Sequence, residues 1–182
     1  MTSSSEARGL AAEIKEVAKK SGAGLVGIVS ANAVDSYPSL WVGWTIKEHT
    51  KKTYDVLPDA KSIVVMGYHV WDDMLELAIR KGQEWIYPGY LPLDTLTLAV
   101  SSHLKKKGYK AVYARSISHK RLAQLAGFGS YGKNALIINP VFGPWIRLSA
   151  VLTNAESRLI SLLNRTFAVT AKHAWELVLW AL

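Results

Sequence analysis

The chain has 182 residues, enough for one well-cored domain and short for two, and 49% of them are hydrophobic, which sets it apart from disordered chains. Its 22 Lys and Arg against 14 Asp and Glu leave a charge of +8, suited to an anionic partner such as RNA, a phosphate-bearing cofactor or an acidic protein. It has no cysteine, which excludes disulfides, thiolate nucleophiles and Cys-ligated iron–sulfur clusters within it; no apolar run approaches the roughly 20 residues of a membrane span, and the N-terminus lacks a secretory core, so a cytoplasmic protein is expected.

Residues 6–20 place Leu10, Ile14, Val17 and Ala18 at helical spacing, and Ser21-Gly22 ends that helix. Residues 24–30 read as a short strand with two glycines that suggest close packing. Trp41 and Trp44 suggest a surface helix within 31–55. A turn at 57–60 leads into the β-branched run 62–69, the pattern of a central strand, with Tyr68 and His69 at its far end, where an α/β fold presents ligand groups. A helix is expected over 71–82, closed by Gly82, then a turn at 87–90 and a helix over 93–107 with Leu96, Ala99, Val100 and Leu104 inward. Residues 109–113 form another strand. With no repeat and no linker, the expected fold is one α/β (α+β) domain with a mixed sheet flanked by helices.

The densest signals lie between Ser118 and Asn154. A cationic segment opens with Ser118, a candidate N-cap, and His119, and passes into a loop with Gly127, Gly129 and Gly132. Three glycines in six residues mark a tight turn or a close approach, and Ser130, Tyr131, Lys133 and Asn134 stand beside that opening. The spacing fits G-x-G-x-x-G, but a helix precedes the loop and a strand follows it, the reverse of a dinucleotide fold. Five scattered histidines make no metal site, and no carboxylate stands near enough in sequence to complete a Ser–His hydrolase.

The segment AGFGSYGKNALIINPVFGPWIRLSAVLT, residues 126–153, closely resembles the signature of the cobalamin-dependent epoxyqueuosine reductases, distant kin of the reductive dehalogenases. The resemblance is specific over residues 112–154, looser from residue 6 onward, and includes Ser118-His119-Lys120 as a variant entry. It implies a corrinoid bound on a nitroreductase-like α/β domain comprising residues 1–154. Ser118, His119 and the loop of Gly129, Ser130, Tyr131, Gly132, Lys133 and Asn134 would face the corrinoid, and Asn139, Pro140 and Gly143 would shape the turn behind it. The catalytic carboxylate of the epoxyqueuosine reductases would fall in YARS, residues 113–116, where no acid is present. Tyr113 is the remaining candidate proton donor.

In the family, the segment corresponding to Leu152-Thr153-Asn154 leads into an iron–sulfur module that the cysteine-free tail 155–182 cannot form. A frame displaced by one nucleotide accounts for this. The junctions Phe167/Ala168 and His173/Ala174 can then encode only Cys or Arg, while Thr170/Ala171 and Leu177/Val178 allow Cys and Val178/Leu179 allows Pro. The displaced frame accommodates C-x-x-C-x-x-C-x-x-x-C-P. The tail is therefore expected to be a frameshifted remnant, and its apolar stretches could join two chains as a homodimer.

These readings converge on the corrinoid-binding half of a reductase acting on tRNA or a small molecule. It would depend on an external electron donor and be inactive alone. A non-catalytic corrinoid or flavin-like cofactor binder, a folded remnant and an RNA-binding module are the alternatives.

Overall fold

A computed structural model describes residues 2–42, 48–70 and 77–157. The helical pattern at the N-terminus gives α1 (Thr2–Lys20), which Gly22 closes at a positive φ of 102°. β1 (Leu25–Ser30) and the short α2 (Ala31–Asp35) follow. The tryptophan-containing stretch is not a single helix: Trp41 lies in β2 (Trp41–Val42), paired with β3 (Glu48–His49), and Trp44 falls outside the described residues. α3 (Thr53–Val56) precedes the central strand β4 (Ser62–His69).

The helix expected over 71–82 is corrected in its second half. Residues 71–76 lie outside the described residues, and the remainder is a hairpin of β5 (Ile79–Lys81) and β6 (Glu84–Ile86). Gly82, at φ 64°, serves as the first residue of its two-residue loop rather than as a helix cap. A 3₁₀ turn, Pro88–Tyr90, leads into α4 (Leu91–Lys106). Then come β7 (Ala111–Tyr113), α5 (His119–Leu125), the small pair β8 (Ser130–Tyr131) and β9 (Ile137–Ile138), and the long β10 (Ile146–Thr153).

The main sheet has the order β1-β4-β10-β7, with helices on both faces, as the α/β class requires. Its pairing, expected to be mixed, is antiparallel at each of the three interfaces. Direction follows from the connections: β1 and β10 each run against the buried β4, and β7 runs against β10.

The β4 run is continuously apolar because both of its faces are covered. Val64, Met66 and Tyr68 join Leu10, Ile14, Leu96, Val100 and Leu104 beneath α1 and α4, while Ile63 and Val65 join Leu122, Ala123, Phe128 and Leu152 beneath α5. Each fully buried aliphatic side chain contributes about 1.5–3 kcal/mol. Gly27 lets α5 settle on β1: a Cβ there would lie 2.8 Å from the Ala126 methyl carbon. Packing continues past the boundary expected at residue 154, since Ala155 is fully buried and the Ser157 amide donates to Ser62 Oγ. The tail from 158 onward, with its proposed homodimer contact, lies outside the described residues.

Candidate cofactor site at the edge of the sheet

Tyr113 ends the edge strand β7, opposite Val151 of β10, which in turn pairs with Val64 of β4. It faces α4, since it shares the alternation of Ala111, which is buried there. Ser149, on β10, bonds both the Tyr113 hydroxyl and Thr97 of α4, whose Oγ1 lies 2.5 Å from Ser149 Oγ. The Arg115 guanidinium lies over the Tyr113 ring, 4.8 Å from its centroid. Burial raises the Tyr113 pKa, opposed in part by Arg115 and reinforced by Asp94 in the first turn of α4, so the phenol is held protonated.

His119 begins α5, with its ring centroid 6.2 Å from that of Tyr113 and the planes inclined by 56°. Its Nε2 is buried without a hydrogen-bond partner, and desolvation lowers its pKa from 6.5 to about 4. The imidazole is therefore neutral near pH 7. Ser118 occupies the expected N-cap position, without a capping hydrogen bond from its side chain. It lines a small cleft beside Tyr37, Lys51 and Arg121.

The glycine loop hangs from the other end of α5. The left-handed φ of Gly127, 76°, ends the helix. A Cβ on Gly129 would lie 2.1 Å from the Ile138 carbonyl oxygen, and one on Gly132 would lie 2.9 Å from Asn134 Oδ1. These two glycines thus have an internal cause, the close folding of β8 on β9. Asn134 Oδ1 accepts from the Leu136 amide across the turn, and Ala135 adopts a left-handed φ of 59°. Tyr131 and Lys133 are exposed on this loop, and Ser130 is half-buried.

Asn139 is buried and committed to the following turn. Its Nδ2 donates to the Phe128 carbonyl, and its Oδ1 accepts from the amides of Val141 and Phe142 at 2.9 Å. Tyr68 and His69 are likewise engaged, the former donating to the Gly89 carbonyl and the latter stacking on Phe142 at 4.8 Å.

The structure thus brings Tyr113, His119 and, nearby, Ser118 together, and places residues 129–134 about one short helix away, roughly 10 Å at 1.5 Å per residue. Sequence reasoning missed Thr97, Ser149 and Asp94. The available signal was a polar residue at an inward position: Ser149 inside an apolar strand, and Thr97 beside Leu96 and Val100. Among the described residues no group of His, Cys, Asp and Glu is arranged to hold a metal ion, and no helix is long and apolar enough to cross a membrane.

This antiparallel sheet with helices on both faces is the fold of epoxyqueuosine reductases and reductive dehalogenases, at identities that speak to fold alone. Among the solved structures that share it is an epoxyqueuosine reductase with an epoxyqueuosine-modified tRNA-Tyr stem loop (TM-score 0.59, 23% identity, 80% of this chain and 45% of that one). The Bacillus subtilis epoxyqueuosine reductase, described with its catalytic loop swung out of the active site, gives a TM-score of 0.60 at 21% identity, over 80% of this chain and 45% of that one. A reductive dehalogenase whose structure suggested a mechanism for B12-dependent dehalogenation gives 0.56 at 20% identity, over 80% and 21%. The chain therefore spans less than half the length of these proteins. No family model matches it, and no curated protein does.

Proposed function

We propose that this chain forms the corrinoid-binding domain of a cobalamin-dependent reductase, with Tyr113 as the proton donor. The observation that carries the proposal is the buried, unpartnered Nε2 of His119 beside a protonated phenol, at the sheet edge of this reductase fold. An unpaired buried polar atom costs about 1–3 kcal/mol, which a hydrogen-bonding group on a ligand would return. The residues fit a corrinoid, because its rim of carboxamides presents donors and acceptors to such an atom. Only a ligand of macrocycle breadth would also touch the loop of Gly129–Asn134 at the far end of α5.

A bound corrinoid would supply the electron chemistry for reductive removal of an epoxide oxygen, a halide or a similar group. The chain supplies position and a proton. Tyr113 presents its hydroxyl proton, Ser149 orients that hydroxyl, and Arg115 eases proton loss by favouring the phenolate. His119, neutral, adds no charge beside the donor. The 182 residues contain no cysteine and hence no Cys-ligated cluster, and the proposed electron source lies outside them. Either tRNA or a small molecule is the proposed substrate, the former because one structural neighbour was solved with a tRNA stem loop.

Titration with cob(II)alamin, followed by visible absorbance and EPR, tests the reading. A saturable spectral change that weakens in His119→Phe is expected. No spectral change with the corrinoid in large excess would overturn the corrinoid site. Binding that survives in Tyr113→Phe while turnover with a chemical reductant is lost would identify Tyr113 as the donor.

A further inference from the structure

The phenol of Tyr113 ends a buried chain of hydroxyls. Tyr113 pairs across the sheet with Val151, and Ser149, two residues along β10 from Val151, faces α4 with it. There Ser149 hydrogen-bonds the Tyr113 hydroxyl, and its Oγ lies 2.5 Å from Thr97 Oγ1. Thr97 Oγ1 in turn lies 2.8 Å from the Leu93 carbonyl oxygen, one turn back along α4. Ser149 is fully buried and Thr97 nearly so, and their protons are shared among these groups.

Counting those protons gives the chain a direction. A carbonyl only accepts, so the single proton of Thr97 goes to Leu93. The short contact between Thr97 and Ser149 then needs the proton of Ser149, which leaves Ser149 none for Tyr113. At rest Ser149 therefore accepts from the phenol. The order runs from Tyr113 to Ser149, to Thr97 and to the Leu93 carbonyl, each hydroxyl donating to the next.

We propose that Thr97 is a positioning residue for Tyr113, acting through Ser149: by engaging the Ser149 proton it keeps Ser149 an acceptor and the phenol O–H turned towards it. The consequence for catalysis rests on the reading of Tyr113 as proton donor; the direction of the chain does not. When Tyr113 gives its proton to a substrate atom, the phenolic O–H bond breaks, a bond from that proton to the substrate atom forms, and a phenolate is left beside Ser149. Ser149 then turns its own proton from Thr97 to the phenolate, without giving it up and with loss of the bond to Thr97. Thr97 thus holds Tyr113 protonated until a substrate draws the proton away.

The test is the titration of Tyr113 in the ligand-free full chain, read as phenolate absorbance by difference from the matching Tyr113→Phe chain. Thr97→Val keeps the side-chain shape and frees the Ser149 proton for the phenolate. It is expected to lower the Tyr113 pKa by about half a unit to one unit. Thr97→Ser keeps the hydroxyl and is expected to leave the titration in place. In a Ser149→Ala background, Thr97→Val is expected to have no effect. Arg115, Asp94, Tyr90 and His119, the charged and titratable groups around Tyr113, are the same in all these variants. A Tyr113 pKa that is unmoved or raised in Thr97→Val, or lowered equally in the Ser149→Ala background, overturns the proposal. Thr97→Ala makes the same comparison if the valine variant does not fold. Absence of corrinoid binding would overturn the cofactor reading alone, since this titration needs no ligand.

Discussion

The rings of Tyr113 and His119 lie 6.2 Å apart, one at the end of the edge strand and the other at the start of α5, and the imidazole Nε2 is buried with no partner. Five residues separate them in the chain, and the turn between β7 and α5 brings them together. The pair joins a phenol that burial keeps protonated to an imidazole that burial keeps neutral.

The stability of the chain should fall as pH drops from about 6.5 towards 4. His119 is neutral when folded, with a pKa of about 4 against an ordinary 6.5, so below 6.5 the unfolded chain binds the extra proton and is favoured. The full difference is about 3 kcal/mol, reached below the folded value. The lowered pKa values of Glu13 and Asp59 put their acid losses below their ordinary values of 4.5 and 3.8. Denaturant unfolding across this window should show the slope, and His119→Leu should abolish it while raising ligand-free stability by about 1 kcal/mol.

Titration of Tyr113 should respond to its neighbours with definite signs. Arg115→Gln and Ser149→Ala should each move it upward, since both partners stabilise the phenolate, and Asp94→Asn should move it downward. Phenolate absorbance, taken as the difference from Tyr113→Phe, checks all three. No movement in any variant would mean that these groups do not surround the phenol.

Gly129→Ala should destabilise the chain by about 3 kcal/mol or more, because its Cβ would lie 2.1 Å from a backbone carbonyl that cannot yield. A cofactor role alone would leave unfolding in the absence of ligand unchanged, so the ligand-free denaturation midpoint separates the two causes.

Ala135 carries the opposite expectation. Its left-handed φ of 59° strains an L-residue, and Ala135→Gly should stabilise the chain by about 0.5–1 kcal/mol after the entropic cost of glycine. Thermal unfolding checks this.

Asn139→Ala removes one donated and two accepted hydrogen bonds in a buried turn and should cost about 2–4 kcal/mol, with or without cofactor. If stability is unchanged and only corrinoid affinity falls, Asn139 is a ligand residue and not a turn residue.

Periodicity alone determined the elements whose burial is simple. The run of Ser62–His69 is apolar throughout because it is central, and Leu10, Ile14, Leu96, Val100 and Leu104 repeat at helical spacing because one stripe of each helix is buried. Residues 79–82, expected as the end of a helix, form half of a hairpin, because a glycine at positive φ ends a helix and turns a hairpin equally well. Tyr113, Ser118 and His119 were visible as chemistry-bearing types near a characteristic segment. Their neighbours were not: Asp94 and Ser149 act on Tyr113, and Thr97 on Ser149, only because α4 crosses β10 and β10 pairs with β7. Only the tertiary structure decided that two of the loop glycines answer to the backbone of Ile138 and the side chain of Asn134, and that Asn139 is spent on its own turn. A residue type and its spacing record local geometry, whereas which polar atoms find partners depends on segments far apart in the chain, and at His119 Nε2 none arrives among the described residues.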